Sequence, residues 1–509
     1  MKIEREKNSL RNTATGIVNR CVNLLIPFVI RTIIIHKLGS EFLGLNSLFT
    51  SIIQVLNLTE LGIGNALVFS MYKPIAEDNT EEISGLLSLY KKIYSLIGII
   101  VFVLGMIIMP FLPHLIDMDS MAGTNINVYI LFLIYLINTT LTYLFFAYKK
   151  SLLMAYQRND IISTVDSIGH FVMYALQIAV LIIVPNYYLY IMLMPIFTLL
   201  DNAFVAVIAK KKFPEINEKK SVDVRDGIKI LKNVKYLIGH KIGAVILTAS
   251  NNIVISAFLS LHTLTVYGNY YYVITALTGF INVGYNAILA GVGNSIITET
   301  KENVHRLFKD LSFIIFYIVS FCSIALLCLY QPFMQIWMGP EYMFNMPCVI
   351  AFVVFFYTWQ IRVIGLNFKD AAGMWKNDAL KPYAAMVSNI VLCLLLVKPL
   401  GIIGVLLAST VSFVAVYFPW ETTVLYRDLF KASAMKYCLT QLVYLVITVT
   451  VGALSYFVCS LIPFTGLLGL ILKAVTVAVV ATIGLVLLCF KMPEFKNMLT
   501  RVKRSCRIK

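Results

Sequence analysis

A chain of 509 residues that is 59% hydrophobic and 13% charged, with a mean hydropathy of +0.82, is too apolar for a soluble globular protein. It reads as an all-α polytopic membrane protein. The formal net charge of +16 invites a nucleic-acid reading, but the cations fall between apolar segments in a pattern set by topology, which argues against nucleic acid as a partner.

The N-terminus is polar and charged from Lys2 to Arg11 and runs directly into a full-length apolar segment, so no cleavable signal peptide is expected. Fourteen apolar segments long enough to span a bilayer follow, near 14–35, 45–70, 91–112, 127–147, 162–184, 187–208, 236–259, 265–296, 311–330, 347–368, 383–398, 401–425, 437–460 and 466–490. With the N-terminus in the cytoplasm, the inward loops and tails carry 35 of the 42 Lys and Arg residues. With Lys91, Lys92 and Lys398 at span edges counted with the loops, the outward loops carry Lys37 and Lys398, and five cations lie within spans: Arg20, Arg31, Lys241, Arg362 and Lys473. That bias predicts a plasma-membrane protein with both termini cytoplasmic, its inward face in contact with anionic lipid. The nine cysteines are scattered, mostly within apolar runs, in no spacing that suggests disulfides or a metal site; no metal and no cofactor are expected.

The chain nearly repeats itself. A shift of 221 positions carries Arg20 onto Lys241, Asn65-Ala66 onto Asn286-Ala287 and Glu81 onto Glu302. A shift of 222 carries Pro110-Phe111 onto Pro332-Phe333, and one of 218 carries Gln157-Arg158-Asn159-Asp160 onto Trp375-Lys376-Asn377-Asp378. The pattern predicts a six-helix lobe over 1–210, a basic cytoplasmic connector over 211–235, a second six-helix lobe over 236–427, and two extra helices with a basic tail over 428–509. Six spans per copy make the lobes parallel, with their axis along the membrane normal. The connector reads either as an interfacial amphipathic helix, with Ile228, Leu231, Val234 and Tyr236 near one face, or as a solvated linker.

On the first span Gly16, Arg20, Asn23, Pro27 and Arg31 recur at helical spacing. Arg20 and Arg31 point within about 20° of each other and lie roughly 16 Å apart along the axis. Either the arginines snorkel to opposite interfaces, or the stripe lines water, since Asn23 between them needs a polar partner and Pro27 frees a carbonyl on the same face. The seventh span repeats the arrangement with Lys241, Thr248 and Asn252 on one face, and Gln54, Asn57 and Asn65 on the second span answer Thr275, Thr278 and Asn286 on the eighth. A charge inside a bilayer costs about 2.5–3.5 kcal/mol on insertion scales, so paired intramembrane cations point to a function. The stripes predict a water-filled cleft between the lobes whose cations take an anion: Arg grips phosphate oxygens with two donors, and Lys serves as a movable point charge. Arg362 on the tenth span either joins them or snorkels; Lys473 reads as an anchor to outer headgroups.

Acids within spans are fewer: Glu60, Asp166, Asp201 and Glu421. Asp166 and His170, four residues apart, form either a proton relay for coupled transport or a helix-packing pair. Glu60 precedes Gly62 and Gly64, where the helix can bend, and either titrates during gating or pairs with Arg20 or Arg31; Asp201 is a third coupling candidate. The outward loops are short and carry no paired carboxylates, and no phosphate-cradling glycine loop appears, so enzymatic chemistry is not expected.

Three segments carry a resemblance: Leu38-Gly39-Ser40-Glu41-Phe42-Leu43-Gly44-Leu45, Leu58 to Asn65 followed by Met71-Tyr72-Lys73-Pro74-Ile75-Ala76, and Val266-Tyr267-Gly268-Asn269-Tyr270-Tyr271. With spans arranged as six, six and two, the chain resembles the Wzx-type flippases for O-antigen or capsule repeat units, within the multidrug/oligosaccharidyl-lipid/polysaccharide exporter superfamily. The resemblance implies translocation of undecaprenyl-diphosphate-linked oligosaccharide across the bacterial plasma membrane, with a polymerase or export complex as partner. It also implies a V-shaped basic cavity, to which Arg20, Arg31 and Lys241 are similar in placement. Where such proteins often carry an acid, this chain has Asn251-Asn252. The alternatives are an ion-coupled drug/cation antiporter of the same superfamily, which predicts an acidic aromatic cavity, and a membrane-integral polysaccharide polymerase.

Overall fold

The computed structural model describes residues 5–60, 63–118, 126–216, 224–498 and 500, and all of their regular structure is helical. The chain forms two compact units, Met1–Thr265 and Val266–Lys509, with the boundary inside a helix.

The first unit contains α1 (Arg5–Lys37), α2 (Glu41–Leu56), α3 (Ile63–Ala76), α4 (Thr80–Ile108), α5 (Val128–Leu144), α6 (Ala147–Ala155), α7 (Asn159–Ile183), α8 (Tyr187–Lys212) and α9 (Val224–Phe258). Asparagine begins three of these helices: Asn79, Asn127 and Asn186 each accept backbone N–H bonds from the first turn, satisfying donors the helix itself cannot. Tyr188 also donates its hydroxyl to the Asn127 carbonyl and accepts from the Asn127 N–H at 2.7 Å, tying the starts of α5 and α8 together. The second predicted span is broken, since α2 gives way to a 3₁₀ turn at Asn57–Thr59 before α3 resumes. The fourth bends by 48° between α5 and α6, where Phe146 takes a left-handed conformation. The core is aromatic and aliphatic: Phe49 meets Phe132 edge-on at 5.4 Å, over fully buried Leu45, Leu48 and Leu131. Half of the basic connector forms the opening turns of α9, continuous with the span it precedes; residues 217–223 and the side chains of Ile228, Leu231, Val234 and Tyr236 lie outside the described residues.

The boundary falls within α10 (Leu261–Thr298). The second unit continues with α11 (Lys301–Trp337), α12 (Met346–Ile361), α13 (Val363–Ala371), α14 (Lys381–Leu400), α15 (Ile402–Val411), α16 (Phe418–Val424), α17 (Met435–Ser460) and α18 (Gly466–Cys489). α15 and α16 are joined by a π-helical stretch, Ser412–Tyr417. Its core stacks Phe316 on Tyr444 at 3.9 Å and gathers Tyr270, Tyr330 and Phe352 into one aromatic group. α18 exposes Leu467, Leu468, Ile471, Val475, Val479, Ile483 and Leu487 along its length, a surface suited to lipid and unsuited to water.

Among the described residues eleven helices are long and apolar enough to cross a membrane, or twelve if α5 and α6 are one bent span. The broken α2–α3 segment and α10 fall outside that set, so the helices match the fourteen apolar segments in position but not in number of qualifying spans.

Candidate functional site

Arg20 is exposed and makes no hydrogen bond or ion pair among the described residues. Its direction matters more than its exposure. The exposed apolar residues of α1, Ile17, Val18, Leu25 and Val29, point together, and at 100° per residue Arg20 lies roughly 130° away from their mean direction. It therefore does not share the face that suits acyl chains. Lys241, on α9, is half-buried and also lacks a partner among the described residues. Both cations belong to the first compact unit.

The other stripe residues are engaged. Asn23 is held by three groups: its amide donates to Asn19 Oδ1 at 3.0 Å, while its Oδ1 accepts from Tyr174 OH at 3.0 Å and faces His170 Nδ1 at 2.8 Å. The stripe of α1 thus turns partly onto α7, its main packing partner. Arg31 lies toward α8, close enough for its charge to act on Tyr190. Thr248 donates to the Ala244 carbonyl of its own helix.

On α9, Asn252 donates to Ser51 Oγ on α2 at 2.8 Å. Beyond it, Ser256 donates to the Leu115 carbonyl, His262 Nδ1 meets Ser40 Oγ at 3.0 Å, and Thr265 donates to the Ser40 carbonyl at 2.6 Å. Gly44 allows this approach: a Cβ there would collide with the Leu261 backbone carbonyl. The start of α2 is therefore bonded to the first turns of α10, directly after α9 ends, through Ser40, His262 and Thr265. Further along α2, Thr50 and Gln54 are exposed, while Asn57, Lys241 and Thr248 are half-buried.

The coupling candidates do not form one constellation. Asp166 pairs with Lys150 on α6 at 3.2 Å, leaving His170 to Asn23. Asp201 is buried against Gly169, so closely that no side chain fits at 169, and lines a largely apolar groove of about 480 Å³ with Ile168, Val172 and Phe204. Glu60, at the break between α2 and α3, accepts from Tyr94 OH at 2.6 Å, and Tyr90 OH donates in turn to Tyr94. It makes no ion pair with Arg20 or Arg31 among the described residues.

Arg362 is buried in the second unit. It donates to Glu421 Oε1 at 2.9 Å, with its guanidinium over the rings of Tyr417 and Phe413 at 4.4 and 4.9 Å. Glu421 Oε1 also accepts from Lys381 at 2.8 Å, Lys381 reaches Asp378 at 2.7 Å, and Asp378 reaches Lys369 at 2.8 Å. Arg362, Glu421, Lys381, Asp378 and Lys369 are thus one buried chain of alternating charge running from α13 and α14 to α16. Lys369, Asp378 and Lys381 look like ordinary loop charges in the sequence. The signal was in the repeat: Asp160, which the 218 shift carries onto Asp378, is also buried and held by Nε and Nη2 of Arg158, each at 2.8 Å. Among the described residues no cluster of His, Cys, Asp and Glu has the arrangement of a metal site.

No family model and no curated protein sequence matches the chain. Solved structures do. The lipid II flippase MurJ in an inward closed conformation aligns over 95% of this chain and 99% of its own, with a TM-score of 0.66 at 14% identity. The chain has the fold of that protein. An inward-facing multidrug resistance MATE family transporter of the MOP superfamily aligns over 79% of this chain and 93% of its own (TM-score 0.60, 14% identity). The Vibrio cholerae MATE transporter VcmN, in its bent form, aligns over 83% and 98% (TM-score 0.55, 11% identity). The architecture is accordingly an all-α polytopic membrane fold shared with a lipid II flippase and with multidrug resistance transporters.

Proposed function

We propose that the chain is a transporter, not an enzyme, that flips an undecaprenyl-diphosphate-linked oligosaccharide repeat unit across the bacterial plasma membrane for surface polysaccharide synthesis. The observation that carries this reading is the unpartnered pair Arg20 and Lys241, related by the internal repeat, with Arg20 turned away from the apolar face of α1. A diphosphate supplies the oxygens such cations lack, and Arg can bind two of them at once. Asn23, Thr248, Asn252 and Gln54 suit the hydroxyls of a glycan, while the polyprenyl tail stays in lipid. Arg31 supplies further positive charge, and Arg362 reaches substrate only when its pair with Glu421 opens. Glu60, Asp166, His170 and Asp201 are the groups through which an ion would couple. Fourteen spans, as lobes over 1–210 and 236–427 joined by 211–235 and followed by 428–509, would move by alternating access with both termini cytoplasmic.

The shared fold with MATE transporters, together with buried Asp201, favours drug/cation antiport as the second reading. Depletion of the protein in its host separates the readings. A flippase leaves complete lipid-linked units on the cytoplasmic leaflet, a polymerase leaves them unpolymerised on the outer leaflet, and an antiporter leaves polysaccharide synthesis intact and changes drug or cation sensitivity.

A further inference from the structure

A cavity of about 450 Å³ lies in the second unit between α11 and α17, at the end where α11 begins and α18 ends. His305, Lys309, Lys436, Thr440, Gln441 and Glu494 line it. None belongs to the cation stripes or to the buried charge chain. The positive-inside distribution assigns this end to the cytoplasmic face.

Three features give the cavity a chemistry. The floor is fixed: His305 Nε2 meets Tyr426 OH at 3.2 Å and its ring stacks on Phe430 at 4.7 Å. Lys309 and Lys436 stand exposed at the mouth, while Glu494 is set beside them by the segment after α18, which Asn497 ties to Asp310 on α11 at 3.0 Å. The decisive feature is Gln441, whose Nε2 and Oε1 are both shielded from solvent and both without a hydrogen-bond partner. A buried amide left unbonded is costly, and this one offers a donor and an acceptor together. Neither a simple anion nor a simple cation satisfies both.

We propose that this cavity binds the headgroup of a zwitterionic aminophospholipid, one phosphodiester and one primary ammonium, from the adjacent leaflet. The phosphate oxygens accept from Lys309 and Lys436, and from the Gln441 amide nitrogen once that side chain turns into the cavity it lines. The ammonium donates to Glu494 and, after the same turn, to the Gln441 amide oxygen. The apolar surfaces of α17 beside the cavity, including Leu439, Leu442 and Val443, lie exposed where the acyl chains would run. An anionic lipid would meet the lysines but leave Glu494 opposed to like charge.

The test is lipid retention by the purified full-length protein in detergent, read by native mass spectrometry with added phosphatidylethanolamine, phosphatidylglycerol or inorganic phosphate. Charge-assisted hydrogen bonds of this kind predict about tenfold stronger retention of phosphatidylethanolamine than of phosphatidylglycerol. Glu494→Gln should erase that preference, and Lys309→Ala/Lys436→Ala should weaken retention of both lipids. Gln441→Leu should lose the ethanolamine lipid yet melt no lower than the native chain, because it replaces an unbonded amide with an apolar group of similar size. Equal retention of the two lipids by the native protein overturns the proposal. So does an unchanged preference in Glu494→Gln, or displacement of either lipid by inorganic phosphate alone.

Discussion

Glu421 offers the sharpest prediction about what holds the second unit together. Its Oε1 accepts from Arg362 at 2.9 Å and from Lys381 at 2.8 Å, and all three side chains are almost wholly buried. Glu421→Ala removes one anion and leaves two cations in a low-dielectric interior, where Lys381 keeps Asp378 but Arg362, among the described residues, keeps only the faces of Tyr417 and Phe413. Breaking a buried pair from one side costs about 3–5 kcal/mol, because the abandoned charge stays desolvated. For a unit of this size that is a fall in Tm of roughly 6–20 °C. Thermal unfolding of the purified protein in detergent reads it, with Lys73→Ala as internal comparison. Lys73 and Glu77 form an exposed pair at 3.9 Å, worth less than about 1 kcal/mol. Replacing both partners, in Arg362→Met/Glu421→Leu, should recover most of the loss, since packed apolar groups substitute for buried ion pairs at little cost. A Glu421→Ala variant that melts with the Lys73→Ala variant would refute the reasoning, and so would a double variant no better than the single one.

Other outcomes follow from individual contacts. Gly169→Ala places a methyl group against the Asp201 carboxylate and should destabilise the first unit by about 1–3 kcal/mol, whereas Gly373→Ala, where nothing crowds the Cβ, should show only its backbone strain; paired melting curves compare them. Gly44→Val should prevent α2 from closing on the start of α10 at Leu261, raising labelling of a cysteine introduced at the fully buried Thr265 by a membrane-impermeant maleimide. Tyr94→Phe removes the donor to Glu60, and transport at saturating substrate should fall if that carboxylate carries the coupling ion. Unchanged transport would remove Glu60 from the coupling set.

The helices were legible because lipid demands about 20 apolar residues per pass, and such runs stand out from the loops without any knowledge of packing. The same rule left the break in the second span half legible: Gly62 and Gly64 marked where the helix can bend, but the run stays apolar on average, and only the chain path shows that the helix already stops at Asn57. The cation stripes were readable from helical period alone. Their partners were not, since Asn23 meets His170 across 147 positions and Arg362 meets Glu421 across 59. Periodicity specifies a direction from one helix axis and is silent about which helix stands there. Lys369 and Lys381 show the opposite error. They counted as inward loop charges because a lysine beside an aspartate at a helix end normally faces water, and here the loop folds back until both are buried.

The proposed role of Arg20 and Lys241 meets its most direct test in proteoliposomes loaded on one side with lipid-linked oligosaccharide, comparing the native chain with Arg20→Ala, Lys241→Ala and the double substitution. Neither side chain has a partner among the described residues, so the melting temperature should not move. Each lost charge-assisted contact to diphosphate should lower transport by about tenfold or more, with Arg20→Lys retaining part of it. Translocation by the double variant at the native rate would contradict the diphosphate site outright.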